Sequence, residues 1–188
     1  MKKRTSFLES QFRAEEQEDK LVVEGYFIKY NSETNLFDDV YEEVSPESVE
    51  RSLANNDIRS LFNHDTSLVL GRTNNGTLTL KSDEIGLWGS IEINREDSEA
   101  MNAYARIKRG DVAGCSFGFY PIKEEQQKRE GGGKKFIIRE MDLFEVSCVT
   151  FPAYPQTEIS ARKKDIEVLK KEKLESRKRE LKERLAHE

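Results

Sequence analysis

The stretch "DVAGCSFGFY", residues 111–120, sets Ser116 between Cys115 and Phe117, with Gly114 and Gly118 two residues away on either side. On a β-strand, side chains alternate between faces. Cys115, Phe117 and Phe119 then share one face, and Ser116 shares the other with two residues that lack side chains. Glycine inside a strand marks a place where another group comes close. A serine hydroxyl becomes a nucleophile only with a base in reach and a third group that holds the base in one tautomer. The chain has two histidines, and His187 lies in its charged last residues. Any histidine-dependent reaction in the globular part therefore uses His64, which closes the strand-like run "IRSLFNHD". There Ile58, Ser60, Phe62 and His64 fall on one face. The bland alternative is a histidine at a strand end that hydrogen-bonds a turn.

Two carboxylates are candidates to orient His64. Asp65 is its neighbour, but adjacent strand residues point to opposite faces. Glu145 is better placed. In "MDLFEVSCVTF", Phe144, Val146 and Cys148 occupy one face; Leu143, Glu145, Ser147 and Val149 occupy the other. Both faces are largely apolar, so the strand is expected to be buried on both sides. A carboxylate there is costly unless paired or hydrogen-bonded. The imidazole of His64 is one possible partner, and an arginine such as Arg72 or Arg109 is another. Cys115 and Cys148 sit in apolar runs, where burial makes thiols inert. A Cys–His hydrolase using Cys115 is thus disfavoured by strand parity. A disulfide stays open, though two buried free thiols are the simpler reading. Two cysteines and two widely scattered histidines make no metal site of known spacing, and no cofactor motif is present.

The elements that would position these groups are mostly strands. "TSFLESQF" and "KLVVEGYFIKY" read as strands joined by an acidic turn, "RAEEQED". "SPESVERSLANND" has helix-start signals in Ser45 and Pro46. "IRSLFNHD", "SLVLGRT", "TLTLKSD" and "LWGSIEIN" read as further strands, with "NNG" as a hairpin turn signal. "DSEAMNAYARIKRG" is the best helix, with Ala100, Tyr104 and Ile107 at helical spacing and Gly110 at its stop. The serine strand, a polar glycine-rich hairpin "KEEQQKREGGGKK" and the apolar run "FIIREMDLFEVSCVTFPAYP" follow. From about residue 158 the chain is mostly Lys, Arg and Glu, with a thin leucine stripe suited to a solvated or partner-dependent helix.

Charged residues make up 36% of the 188, well above the usual quarter, and hydrophobic residues another 36%. That balance suits one compact domain with charged appendages. A formal net charge of −5 gives no support to nucleic acid as the main partner. The basic start lacks an apolar stretch behind it, so it does not read as a signal peptide. No run approaches the ~18 apolar residues of a membrane span. A cytosolic protein is expected.

The order "LFNHD … GCSFGF … LFEVSCVTFPAYPQT" resembles the prohead (capsid maturation) proteases of tailed bacteriophages, serine proteases related in fold to the herpesvirus assemblins. The resemblance covers roughly residues 18–160 and includes "VEGYFIKYN" and the Lys-Arg-Gly helix end before the serine strand. It implies Ser116 as nucleophile, His64 as base and Glu145 as third member. Related viral proteases use a second histidine in that third role, which this chain does not supply in its globular part.

The fold implied is β-rich α+β: an antiparallel β-barrel-like core flanked by a few helices. Residues 1–160 would be the protease domain, and 161–188 a charged helical tail that is scaffold-like, a tether or simply solvated. The expected substrates are the scaffold, or the scaffold-like N-terminal arm of the major capsid protein, and the protease itself. The expected setting is the host bacterial cytoplasm, inside the immature capsid. A homo-oligomer, in the form of a dimer, is expected by analogy with assemblins; no nucleic acid, membrane, metal or cofactor is. The contrasting reading is a non-catalytic capsid assembly or scaffolding module that keeps the fold.

Overall fold

The computed structural model describes residues 4–9, 12–17, 20–129 and 132–151, together with 171, 174, 175, 177–179 and 182–184. Through residue 149 the described elements lie in this order: β1 (Arg4–Glu9), β2 (Arg13–Gln17), β3 (Lys20–Lys29), β4 (Thr34–Phe37), β5 (Val40–Val44), α1 (Glu50–Asn55), β6 (Arg59–Phe62), β7 (Asp65–Arg72), β8 (Leu78–Ser82), β9 (Gly86–Ile93), α2 (Ser98–Arg109), β10 (Gly114–Lys128) and β11 (Lys134–Val149). A 3-10 turn, Pro46–Val49, leads into α1.

The expected barrel is not formed. The strands make two open sheets, one of four strands in the order β2-β3-β9-β8 and one of seven. In the larger sheet β1-β10-β11 is followed by β5 and β4, while β6 and β7 extend from β11 as a branch. The reason lies in β11. Its first part, Lys134 to Ile138, pairs in parallel with β5, and its last part, Glu145 to Cys148, pairs in parallel with β6. One long strand thus serves two short partners on the same edge, and the sheet forks instead of closing.

Between those partners the β11 edge would be left with unsatisfied backbone groups. The 3-10 turn and α1 fill the gap. Ser45 Oγ donates to Ile138 O (2.8 Å), Ser52 Oγ donates to Met141 O (2.8 Å), and Leu143 N donates to Ser52 Oγ (2.9 Å). Asn56 Nδ2 completes the series on Leu143 O (2.8 Å). Ser45 and Ser52 are buried, so each bond replaces a costly orphan.

Apolar residues of both sheets and of α2 form one core, including Val23, Phe27, Ile91, Ala103, Ile107, Phe117, Phe119, Leu143 and Val146. α2 starts on Asp97, whose carboxylate accepts from Glu99 N and Ala100 N, a cap of about 1 kcal/mol. It stops at Gly110, where φ is 86°. Ala100, Ala103, Tyr104 and Ile107 face the core.

Two local expectations change. "RAEEQED" supplies a strand, β2, that pairs antiparallel with β3. "NNG" is a turn, with Gly76 at φ 77°, but β8 pairs with β9 and not with β7, so the turn hands the chain from one sheet to the other. The described residues of the charged tail are helical and exposed. The rest of the tail, the boundary expected at 160/161 and the prolines at 152 and 155 lie outside the described residues.

Candidate active site

Ser116 is on β10 and Glu145 on β11, and the register of this antiparallel pair decides what stands beside each. Ser116 is opposite Ser147, and Gly118 is opposite Glu145. Directly opposite residues share a face. Ser116, Gly118, Glu145 and Ser147 therefore make one small patch, buried throughout, with Ser116 fully covered and Glu145 2% exposed. The expected parity holds for β10 and from Glu145 to Cys148, but it breaks before them: a register irregularity sets Phe119 opposite Leu143, so Leu143 joins the core face and Phe144 falls out of the alternation. Cys115, Phe117 and Phe119 are core, and so are Val146 and Cys148.

The missing side chain at Gly118 is what admits the carboxylate. A Cβ built there would lie 2.4 Å from Glu145 Oε1 and 2.8 Å from Glu145 Cγ. No real Cβ tolerates such contacts, so at this position the room goes to Glu145.

His64 comes from the third neighbour. It is not a strand residue. β6 ends at Phe62, Phe62 pairs with Asp65, and the two residues between them have φ of 53° (Asn63) and 59° (His64). Positive φ at both positions is what a two-residue type I′ hairpin needs. Asn63 suits such a conformation. It also ties the turn to the end of β11: Asn63 N donates to Cys148 O (2.9 Å), Thr150 N donates to Asn63 Oδ1 (2.8 Å), and Asn63 Nδ2 donates to Thr150 Oγ1 (3.2 Å). At the other end of the hairpin, Arg72 Nε lies 2.8 Å from Asp57 Oδ2 and holds that carboxyl below the usual carboxylate range.

The turn swings His64 back along β11, so that its Nδ1 lies 2.7 Å from Glu145 Oε1. The arginine alternatives are engaged elsewhere, Arg72 with Asp57 and Arg109 with Asp111. Asp65 accepts from Ser67 N and Oγ and takes no part. With Glu145 ionised and the ring neutral, the proton sits on Nδ1, which donates to the carboxylate and leaves Nε2 as an acceptor. That Nε2 is buried and has no hydrogen-bond partner among the described residues. A buried basic nitrogen with its tautomer fixed and its lone pair unused is suited to taking a proton.

Comparison with known proteins bears on the assignment. The profile of the family described as Caudovirus prohead serine protease matches residues 9–172. The chain belongs to that family. Among curated relatives, the prohead protease of Enterobacteria phage HK97 is 30% identical over 143 residues, 74% of this chain. The match spans 61% of that relative's own length. Among solved structures, the bacteriophage T4 capsid assembly protease is similar at a TM-score of 0.45 and 13% identity, over 79% of this chain and 99% of that one. At that score it adds nothing to the family assignment.

Ser147 was not singled out by the sequence. Its Oγ donates to Glu145 Oε2 at 2.7 Å, and the residue is fully buried. The signal was present in its position two residues after Glu145, on the same face of the same strand.

Both cysteines are buried and neither is in a disulfide. Cys115 lies against the carbonyls of Tyr26 and Phe27, and burial pushes the Cys148 thiol far up.

Proposed function

We propose that the chain is a serine endopeptidase with Ser116 as nucleophile, His64 as general base and Glu145 as the residue that orients and charge-stabilises the imidazole. The observation that carries this reading is the contact of His64 Nδ1 with buried Glu145, which leaves Nε2 without a hydrogen-bond partner among the described residues. Ser116 Oγ attacks the scissile carbonyl as its proton passes to Nε2. The imidazolium formed is held by Glu145, and the same proton is then delivered to the leaving amine. Ser116 is fully buried, so a peptide reaches it only when a covering segment moves. β1 is the edge strand beside it, with Phe7 opposite Ser116.

Membership of a prohead protease family supports the substrate reading: the scaffold, or the scaffold-like N-terminal arm of the major capsid protein, together with the protease itself. The place of action is the immature capsid in the host bacterial cytoplasm, and the working form is a homodimer. The tail at 161–188 ties the protease to the assembling shell.

The test is co-expression with the major capsid protein encoded beside it, wild type against Ser116→Ala, read by intact mass. Loss of an N-terminal capsid segment in the wild type alone is the expected result. Equal cleavage in both removes Ser116 from the mechanism. No cleavage in either, with shells formed, favours an assembly module without catalysis.

A further inference from the structure

We propose that Ser147 is a positioning residue of this site, fixing the Glu145 carboxylate in the orientation in which its other oxygen grips His64. The proposal rests on the protease reading above. A glutamate's terminal torsion is broad and roughly two-fold, so one hydrogen bond does not fix the plane of its carboxylate. Two contacts bear on the plane of the Glu145 carboxylate: Oε1 meets His64 Nδ1, and Oε2 accepts from Ser147 Oγ, each at 2.7 Å. The second hold comes from a residue two positions along the same rigid strand, fully buried, whose neighbours on both sides, Val146 and Cys148, are core. Its hydroxyl thus has little freedom to leave the carboxylate.

Ser147 also stands directly across the strand pair from Ser116. Two serines therefore face the same patch, and hydrogen bonding separates their roles. Ser147 gives its proton to the carboxylate, so it is not the hydroxyl that Nε2 activates. A serine present only to satisfy a buried carboxylate would matter for stability and leave His64 indifferent to its loss. A positioning serine sets the imidazole tautomer.

The chain's two histidines make this measurable. Nitrogen-15 spectra of the histidine rings in the full-length protein, with His187→Gln to assign His64, report the tautomer of the neutral ring. The expected wild-type form is Nδ1–H. Ser147→Ala should give a mixture of tautomers and slow capsid-protein cleavage roughly ten- to hundred-fold, the cost of a misplaced catalytic group. Ser147→Thr, which keeps the hydroxyl, should restore both. If Ser147→Ala does not fold, Ser147→Cys, close in size and a weak donor, is read in its place. A wild-type tautomer and wild-type cleavage in either variant would overturn the proposal, as would a loss that threonine does not restore. Absence of cleavage in the wild type would instead sink the protease reading. The tautomer spectra would still decide whether Ser147 controls the Glu145–His64 pair.

Discussion

His64 Nδ1 and Glu145 Oε1 lie 2.7 Å apart across 81 residues of chain, one on a hairpin turn and the other on a strand buried on both faces. Removing the charge while keeping the shape is the sharpest test of this contact. Glu145→Gln should lower cleavage by on the order of 10⁴, as expected when an imidazole loses the partner that sets its tautomer. His64→Ala should abolish it and also destabilise the fold by about 1–3 kcal/mol, because the buried carboxylate loses a hydrogen bond. Activity in Glu145→Gln within tenfold of wild type would place the third member elsewhere. Cleavage assays with parallel thermal melts measure both effects.

The choice of serine over cysteine is tested by chemistry on the native protein. Burial raises the Cys148 thiol, and Cys115 lies in the core. A thiol-alkylating reagent should therefore label neither until the protein is unfolded. Ser116→Ala should lose about 10⁴- to 10⁶-fold in rate. Rapid native labelling of Cys115 with parallel loss of cleavage would reverse the assignment.

Asn63 carries both the backbone of the hairpin and its attachment. Asn63→Gly keeps access to φ 53° and loses only the side-chain bonds to Thr150. Asn63→Ala loses those bonds and adds about 1–2 kcal/mol of left-handed backbone strain. Both should cut cleavage on the order of 10²-fold through misplacement of His64, with the alanine variant melting lower. Equal melting temperatures would show that the positive φ costs nothing there.

Gly118→Ala sets a methyl group against Glu145 Oε1 and Phe144 Cζ, which would stand 2.4 and 2.8 Å from it. Overpacking of this kind costs about 1–3 kcal/mol. The carboxylate is the movable partner, so cleavage should fall further than stability explains. A variant that keeps wild-type activity would mean that Glu145 can shift without loosening its hold on His64.

Much of the site could be read from residue types. The alternation of Glu145 and Ser147 against Val146 and Cys148 is a local pattern that the core follows, whereas Leu143 joins the core face because the register shifts at Phe144, which no local pattern marks. His64 differs from the reading in conformation: it stands on a hairpin turn, not on a strand. "LFNHD" looks like the end of a strand, and histidine is an uncommon choice for positive φ. β2 was missed because "RAEEQ" is charged, as edge strands often are to discourage further pairing. The barrel was wrong for a different reason. Hairpins announce themselves through turn residues, whereas the parallel pairings of β5 and β6 with β11 join segments some 90 residues apart and leave no local mark.

The grip of Asn63 on Thr150 has a mechanical meaning. Thr150 is one of the last described residues before the chain runs on toward its charged tail, and two side-chain hydrogen bonds couple it to the residue next to His64. A pull that reached Thr150 would pass directly to the residue beside His64. The two strand ends and the turn thus move as one piece, as a latch moves with its catch.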